Sequence, residues 1–343
     1  MGRGSDRTVA RRWLPLLAVA ALAGCTKADF VGRPESIRAP LGLPALPGAA
    51  PATAVALGRK LFYSPSLSVD GTLACASCHQ PGQGFADPRP NSPGVNGGRG
   101  NRNAPSVWNA AYWSSQFWDG RAATLEQQAS GPMMNPVEMG HSSRGVVAAV
   151  AADPEFRRLM AAAYGDEAVT LERITKAIAA FEKTLVRGNS PFDRYQFGGD
   201  RTALSEQAQR GLALFRNKAK CALCHTIAAD HALLTDQKFH NLGVGMDPAG
   251  NLPDPGRYAV TGREADRGAF RTASLRNIAE TAPYMHDGSL KSLKEVVDFY
   301  VGGGNANPQL DPLMQPLTSF TRQERSDLVA FLESLTGEAV ANP

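Results

Sequence analysis

The stretch Cys75-Ala-Ser-Cys78-His79 returns later in the chain as Cys221-Ala-Leu-Cys224-His225. Two cysteines spaced by two residues and followed at once by histidine form the attachment pattern for haem c: both thiols add to the haem vinyl groups, and the adjacent imidazole falls onto the iron. A zinc site or a redox Cys-x-x-Cys pair gives no reason for a histidine after both pairs. The two copies therefore predict two covalent haem c groups, with His79 and His225 as iron ligands.

The repeat extends outward from these motifs. Gly58-Arg-Lys-Leu61-Phe62 precedes the first and Gly211-Leu-Ala-Leu214-Phe215 the second. Beyond them, Arg102-Asn-Ala-Pro-Ser-Val-Trp-Asn109 resembles Arg271-Thr-Ala-Ser-Leu-Arg-Asn277, and Phe117-Trp-Asp-Gly-Arg-Ala-Ala-Thr-Leu125 resembles Met285-His-Asp-Gly-Ser-Leu-Lys-Ser-Leu293. The offset is 146 between Cys75 and Cys221 but 168 between Asp119 and Asp287. The second half thus carries an insertion, expected between Ala228 and Asp266, where Pro, Gly and Asp crowd together as in a long loop. Leu171 to Val186 has apolar residues at 171, 174, 177, 178, 181 and 185, a helix with one buried face. Gly188-Asn-Ser-Pro191 and Gly198-Gly199 then break the chain, which puts the boundary near 200. Strand-like alternation is scarce. The expected fold is mainly α, with two tandem cytochrome c-type domains, 53–200 and 201–343, each built on one covalent haem c, and little or no sheet.

A chain of 343 residues suffices for two such domains. Arg3, Arg7, Arg11 and Arg12 against Asp6 place +3 of the formal +4 in residues 1–24, and the near-neutral remainder argues against nucleic acid as a partner. The apolar run from Leu14 to Ala23 is too short for a stable membrane span and reads as the core of a signal peptide over 1–24. Leu22-Ala-Gly-Cys25 resembles a bacterial lipobox, which accounts for the fifth cysteine: four hold haem, and Cys25 holds lipid. The alternative is ordinary cleavage with Cys25 left as a spare thiol. Residues 25–52, rich in Pro, Gly and Ala, read as a lipidated tether. The expected location is the periplasmic side of the envelope, with a lipid anchor as the sole membrane contact.

The duplication also sorts the irons. A haem iron does chemistry when its sixth position is open and mainly carries electrons when both axial positions are filled. In the second half, the helix after His286-Asp-Gly288 places Leu293, Val296, Val297 and Tyr300 on one face before Gly302-Gly-Gly304 ends it. At the offset of 168 the counterpart of Tyr300 is Pro132, which cannot bind iron. The expectation is an open first haem held by His79 and a closed second haem held by His225 and Tyr300. A slip of one residue would put Met133 at the first iron, and if Tyr300 is a packed core residue, Met285 or Met314 becomes the sixth ligand. Glu138 lies six residues after Pro132 and should reach the same pocket, where a carboxylic acid can move a proton between the oxygens of bound peroxide.

At this point the chain resembles the bacterial diheme cytochrome c peroxidase and MauG family along essentially its whole mature length. The matching blocks are Arg102-Asn-Ala-Pro105, Phe117-Trp-Asp-Gly-Arg121, Leu125-Glu-Gln-Gln128, Asn135-Pro-Val-Glu138, Phe239-His-Asn-Leu-Gly243, Thr281-Ala-Pro-Tyr-Met-His-Asp-Gly288 and the helix to Tyr300. The resemblance implies that Glu138 is the catalytic acid-base glutamate, that Gln128 lies near the peroxidatic haem, and that Trp118 relays electrons between the haems. It also implies a calcium ion between the domains, held by Asn103 and the carbonyls of Thr281 and Pro283, hard oxygen donors that suit that ion.

Two departures sort the branch. Family peroxidases that need prior reduction carry a histidine on the loop after the first motif, and Gly94-Val-Asn-Gly-Gly-Arg-Gly100 has none. They also put methionine where Tyr300 stands, whereas MauG-like enzymes have tyrosine. A phenolate lowers the iron potential relative to a thioether and favours the more oxidised states. A tryptophan that MauG carries six residues before its second haem histidine is Ala219 here, which puts the MauG substrate in doubt.

The expected activity is a cytochrome c peroxidase-like reduction of hydrogen peroxide. Its electrons would come from a donor protein, a small cytochrome c or cupredoxin. The alternative is a MauG-like oxidase that modifies a partner protein substrate. From another class, a diheme electron-transfer cytochrome would have both irons six-coordinate, and a sensor or structural lipoprotein would leave peroxide untouched. A homodimer is compatible with the family.

Overall fold

The computed structural model describes residues 1–2, 30–33, 39–46 and 48–339. The signal segment beyond Gly2 and the candidate lipid site Cys25 lie outside the described residues. The first half runs through α1 (Ala52–Phe62), the haem-attachment turn α2 (Cys75–Cys78), α3 (Leu125–Met134), α4 (Ser143–Ala152), α5 (Pro154–Tyr164) and α6 (Leu171–Glu182). A short α7 (Pro191–Gln196) leads to the second half: α8 (Glu206–Arg216), the turn α9 (Tyr258–Thr261), α10 (Leu293–Gly302) and α11 (Arg322–Glu333). Hydroxyl side chains set many of the helix starts. Thr124, Thr170, Ser205, Ser292 and Thr321 each accept a hydrogen bond from the main-chain N–H three residues on.

Each half is organised by one helix crossing, and the two crossings are copies. A Cβ at Gly58 would overlap the carbonyl oxygen of Ala177, and one at Gly211 would overlap that of Asp327. Glycine therefore lets α1 approach α6, and α8 approach α11, backbone to backbone. Phe62 packs on Phe181 with ring centroids 5.2 Å apart, and Phe215 on Phe331 at 4.9 Å. Two separate apolar cores grow from these contacts, one holding Leu57, Leu61, Ile174 and Ile178, the other Leu212, Leu328, Leu332 and Val297. The fold is thus mainly helical, with two cytochrome c-type domains. The pairs β1 (Arg187–Gly188) with β4 (Glu338–Ala339) and β2 (Phe239–Asn241) with β3 (Ala269–Arg271) are the sheet among the described residues.

The inserted loop of the second half reaches back to the first. Arg102 pairs with both Asp119 and Asp254, at 2.6 and 2.7 Å, and Arg257 donates to the carbonyls of Asp119 and Gly120. These bonds hold the segment Trp118-Asp-Gly120 against the second domain.

The segment read as a tether is packed over part of its length. Arg276 and Asp193 form a fully buried ion pair at 2.9 Å, and the guanidinium also donates to the carbonyl of Gly42. Leu43 is buried, and the Tyr112 hydroxyl donates to the Pro44 carbonyl. A buried guanidinium needs more acceptors than one carboxylate supplies, and the chain near Gly42 provides one. No helix among the described residues is long and apolar enough to cross a membrane.

Candidate functional site

In the second half, Cys221, Cys224 and His225 line one cavity together with Leu293, Val296, Val297 and Tyr300 of α10. The helix owes its register to the Ser292 cap at one end and to Gly303, at φ 85°, at the other. His225 Nδ1 lies 2.9 Å from the Leu234 carbonyl, so that nitrogen carries the proton and Nε2 is left for a metal. Burial lowers the imidazole pKa and keeps it neutral, the form that ligates. The Tyr300 hydroxyl is buried in the same cavity, and burial, with the Cys221 and Cys224 sulfurs nearby, raises its pKa. Met285 and Met314 line this cavity as well, so the lining holds all three side chains named as candidate ligands.

In the first half, Cys75, Cys78 and His79 line a second cavity with Gln128, Pro132 and Glu138. His79 Nδ1 is 3.0 Å from the Pro105 carbonyl, which again leaves Nε2 for iron. Among the residues lining this cavity, His79 carries the sole imidazole. Pro132 is at the cavity wall, whereas Met133 is 1 % exposed and packed into the core of the first domain. The packing thus favours the register that sets Pro132, not Met133, towards the cavity of His79.

Glu138 is held from two sides. Asn135 Nδ2 donates to its Oε1 at 2.9 Å, and the main-chain N–H of Val95 donates to its carbonyl at 2.8 Å. Burial raises its carboxyl pKa, against the opposing pull of Asn135 and Arg121. The four motif cysteines form no disulfide, and burial pushes the thiols of Cys75 and Cys221 up to about 12.

Trp118, Trp113 and Asn103 line both cavities and so stand between them. The Trp118 indole N–H donates to the Asn103 carbonyl at 2.8 Å, and Arg271 lies 4.2 Å from the centre of the Trp113 ring. Asn103, Thr281 and Pro283 also share the second-half cavity. The Asn103 amide nitrogen donates to the carbonyls of Asp87 and Arg89, so Oδ1 is the amide atom available to a cation.

Two buried groups test the fit of haem itself. Arg271 Nη1 and Trp108 Nε1 have no hydrogen-bond partner, and both residues line the second-half cavity. Loss of water lowers Arg271 to about 10. A buried guanidinium with an open N–H suits the carboxylate side chains of a haem, and the cysteines and imidazole beside it suit the ring and the iron.

Met139, Trp113 and Glu182, which no motif singles out, also line the first-half cavity. Glu182 left a signal: it falls four residues after Ile178 in the apolar stripe of α6, where a carboxylate is out of place. His240 bridges Asp311 at 2.6 Å and Asp236 at 3.1 Å close to Cys224. Cys224, Asp236 and His240 lie at metal-ligand spacing, but Cys224 belongs to the Cys-x-x-Cys-His pattern, and without its sulfur His240 is an ion-paired histidine.

Comparison with known proteins agrees with this geometry. The family described as di-haem cytochrome c peroxidase matches residues 52–202, and the cytochrome c family matches 208–336. The methylamine utilization protein MauG of Methylorubrum extorquens is 41 % identical over 310 residues, which is 90 % of this chain and 84 % of that one. Cytochrome c551 peroxidase of Pseudomonas aeruginosa is 39 % identical, over 82 % of this chain and 78 % of its own. Among solved structures, a MauG-like protein associated with microbial copper homeostasis aligns with a TM-score of 0.77 at 34 % identity, covering 89 % of this chain and 96 % of that one.

Proposed function

Because the chain belongs to the di-haem cytochrome c peroxidase and MauG family, we propose that it reduces hydrogen peroxide in the cavity of His79 and Glu138, with electrons passed through Trp118 from the cavity of His225 and Tyr300. The balance is one peroxide, two protons and two electrons giving two waters. The donor is a small electron-transfer protein, a c-type cytochrome or a cupredoxin. The observation that carries this reading is that one cavity brings together a proximal histidine, an acid at Glu138 and a side chain at Pro132 that cannot block iron.

Each haem, once attached, supplies an iron that accepts peroxide where its sixth position is open, and a conjugated ring that carries electrons. The chain supplies the rest. Glu138 is placed to take a proton from one peroxide oxygen and return it to the other, so that, with the donor's two electrons and two further protons, both oxygens end as water. Asn135 keeps that carboxylate from turning away. Gln128, on the same wall, offers an amide to the same space. The His79 and His225 rings are oriented by their Nδ1 hydrogen bonds to main-chain carbonyls.

Asn103, Thr281 and Pro283 would hold a calcium ion in the domain interface, where it would tie Trp118's hydrogen-bond partner to the second domain. Haem c is attached outside the cytoplasm, which supports a periplasmic location, with Cys25 as lipid anchor.

A second reading, oxidation of a partner protein in the MauG manner, is favoured by Tyr300, whose phenolate would hold the second haem at low potential. Peroxide turnover by the as-isolated ferric protein with reduced cytochrome c as donor tests the first reading. Brisk turnover without prior reduction is expected, and activity that appears only after pre-reduction overturns the open first site. Slow donor turnover together with peroxide-dependent modification of a partner would favour the second reading.

A further inference from the structure

The two helix crossings contain an internal control. Gly58 meets Ala177 and Phe181, and Gly211 meets Asp327 and Phe331, so α6 and α11 correspond at an offset of 150. In that register Ile178 corresponds to Leu328 and Glu182 to Leu332, and each residue lines the cavity of its own half. The same place in the same crossing thus holds leucine beside the haem read as electron-carrying and a carboxyl beside the haem read as peroxidatic. The fold accepts an apolar side chain there, and helix packing does not require Glu182.

Glu182 is 5 % exposed, and its Oε2 is buried without a hydrogen-bond partner. Leaving a carboxyl oxygen unpaired in an apolar interior is unfavourable, more so if the group is ionised. Burial, with Glu126 adding repulsion and Lys183 opposing, pushes Glu182 up to about 8. The Cys75 sulfur is close by on the attachment turn and bears no charge once bonded to haem. On the outer side, Lys183 Nζ lies 3.0 Å from Glu126 Oε1, and both side chains are about a third exposed to solvent, at 33 % and 29 %. An acid facing the cavity is therefore backed by a charged pair that reaches water.

The reaction needs such a route. Glu138 relays a proton that peroxide already carries, whereas the two protons consumed in each turnover must enter a buried cavity from outside.

We propose that Glu182 is a proton-carrying group of the peroxide site: its carboxyl O–H gives its proton to the waters forming in the His79 cavity, and the resulting carboxylate is recharged from solvent through Glu126 and Lys183. The inference rests on the peroxide-reduction reading and adds a second acid to it.

The test uses the two-haem protein and the variants Glu182→Leu, Glu182→Gln and Glu126→Gln. Haem content, the resting spectrum, peroxide turnover across pH, and the infrared band of a protonated carboxyl are measured on each. The Glu182 variants should load both haems, keep the resting spectrum, lose the carboxyl band and lose roughly tenfold to a hundredfold in turnover. The protonated form is the active one, so wild-type turnover should fall as pH rises through its pKa, and that alkaline limb should vanish in both variants. Glu126→Gln should keep a fast first turnover and slow the later ones. Wild-type rates at every pH in the Glu182 variants overturn the proposal, as does the absence of a carboxyl band that Glu182→Gln removes. If the Glu182 variants fail to load haem, an unaltered Glu126→Gln enzyme overturns it instead. Glu138→Gln separates the two levels: full activity in that variant defeats the peroxide-site reading itself, whereas an inactive Glu138→Gln beside unaffected Glu182 variants defeats this inference alone.

Discussion

Trp118 donates its indole N–H to the main-chain oxygen of Asn103 at 2.8 Å, and the two residues line both haem cavities. The bond lends electron density to the ring and pins it in the gap. Trp113, the other tryptophan in that gap, has the Arg271 guanidinium over its face, which makes loss of an electron harder. On the proposed reading the electron therefore passes through Trp118 rather than Trp113. Trp118→Phe should slow donor-dependent turnover at least about tenfold, a barrier change of about 1.4 kcal/mol, while Trp113→Phe should change it little. Stopped-flow reduction with the haem spectra as readout checks both.

Glu138→Gln keeps a side-chain oxygen for Asn135 but removes the group that moves the proton. Turnover should fall by about 10²-fold or more with haem content unchanged. Burial raises the wild-type carboxyl above its ordinary 4.5 while Asn135 and Arg121 oppose that shift. The ionised form accepts the peroxide proton, so activity should rise with pH through a midpoint above 4.5. Arg121→Gln removes a nearby positive charge and should move that midpoint upward, which a pH profile of kcat/KM would show.

Tyr300 shares its cavity with Met285 and Met314. If the phenol is the second ligand at the haem of His225, Tyr300→Met should raise that haem's potential by about a hundred millivolts or more and leave the first haem's EPR signal unchanged. An unaltered potential would mean that one of the native methionines already fills the position.

Gly58→Ala and Gly211→Ala each force a methyl group into a main-chain carbonyl at a helix crossing. Each should destabilise its own domain by about 3 kcal/mol, since neither backbone can yield without moving the other. Thermal unfolding followed at the haem bands would show a lowered transition, and a melting curve like the wild type's would mean that the crossing is looser than the packing implies.

Covalent chemistry and periodicity were legible in the chain. Cys75-Ala-Ser-Cys78-His79 and its copy identify themselves, because bond-forming residues must lie at a set spacing along the backbone. The amphipathic stripes of α6 and α10 likewise show which faces are buried. What touches across a cavity was not legible, because residues far apart in sequence meet only when helices cross. Folding put Pro132 on the wall and Met133 in the core, a choice that a one-residue alignment left open. It drew Gly42 under Arg276, where composition alone suggested a free tether. It also set Glu182 against one haem cavity and Leu332 against the other. The duplication in the sequence names both of those residues, but only the packing of α6 on α1 and α3 turns one of them into an unpaired buried acid, since pairing and burial belong to the surroundings of a side chain rather than to its place in the chain.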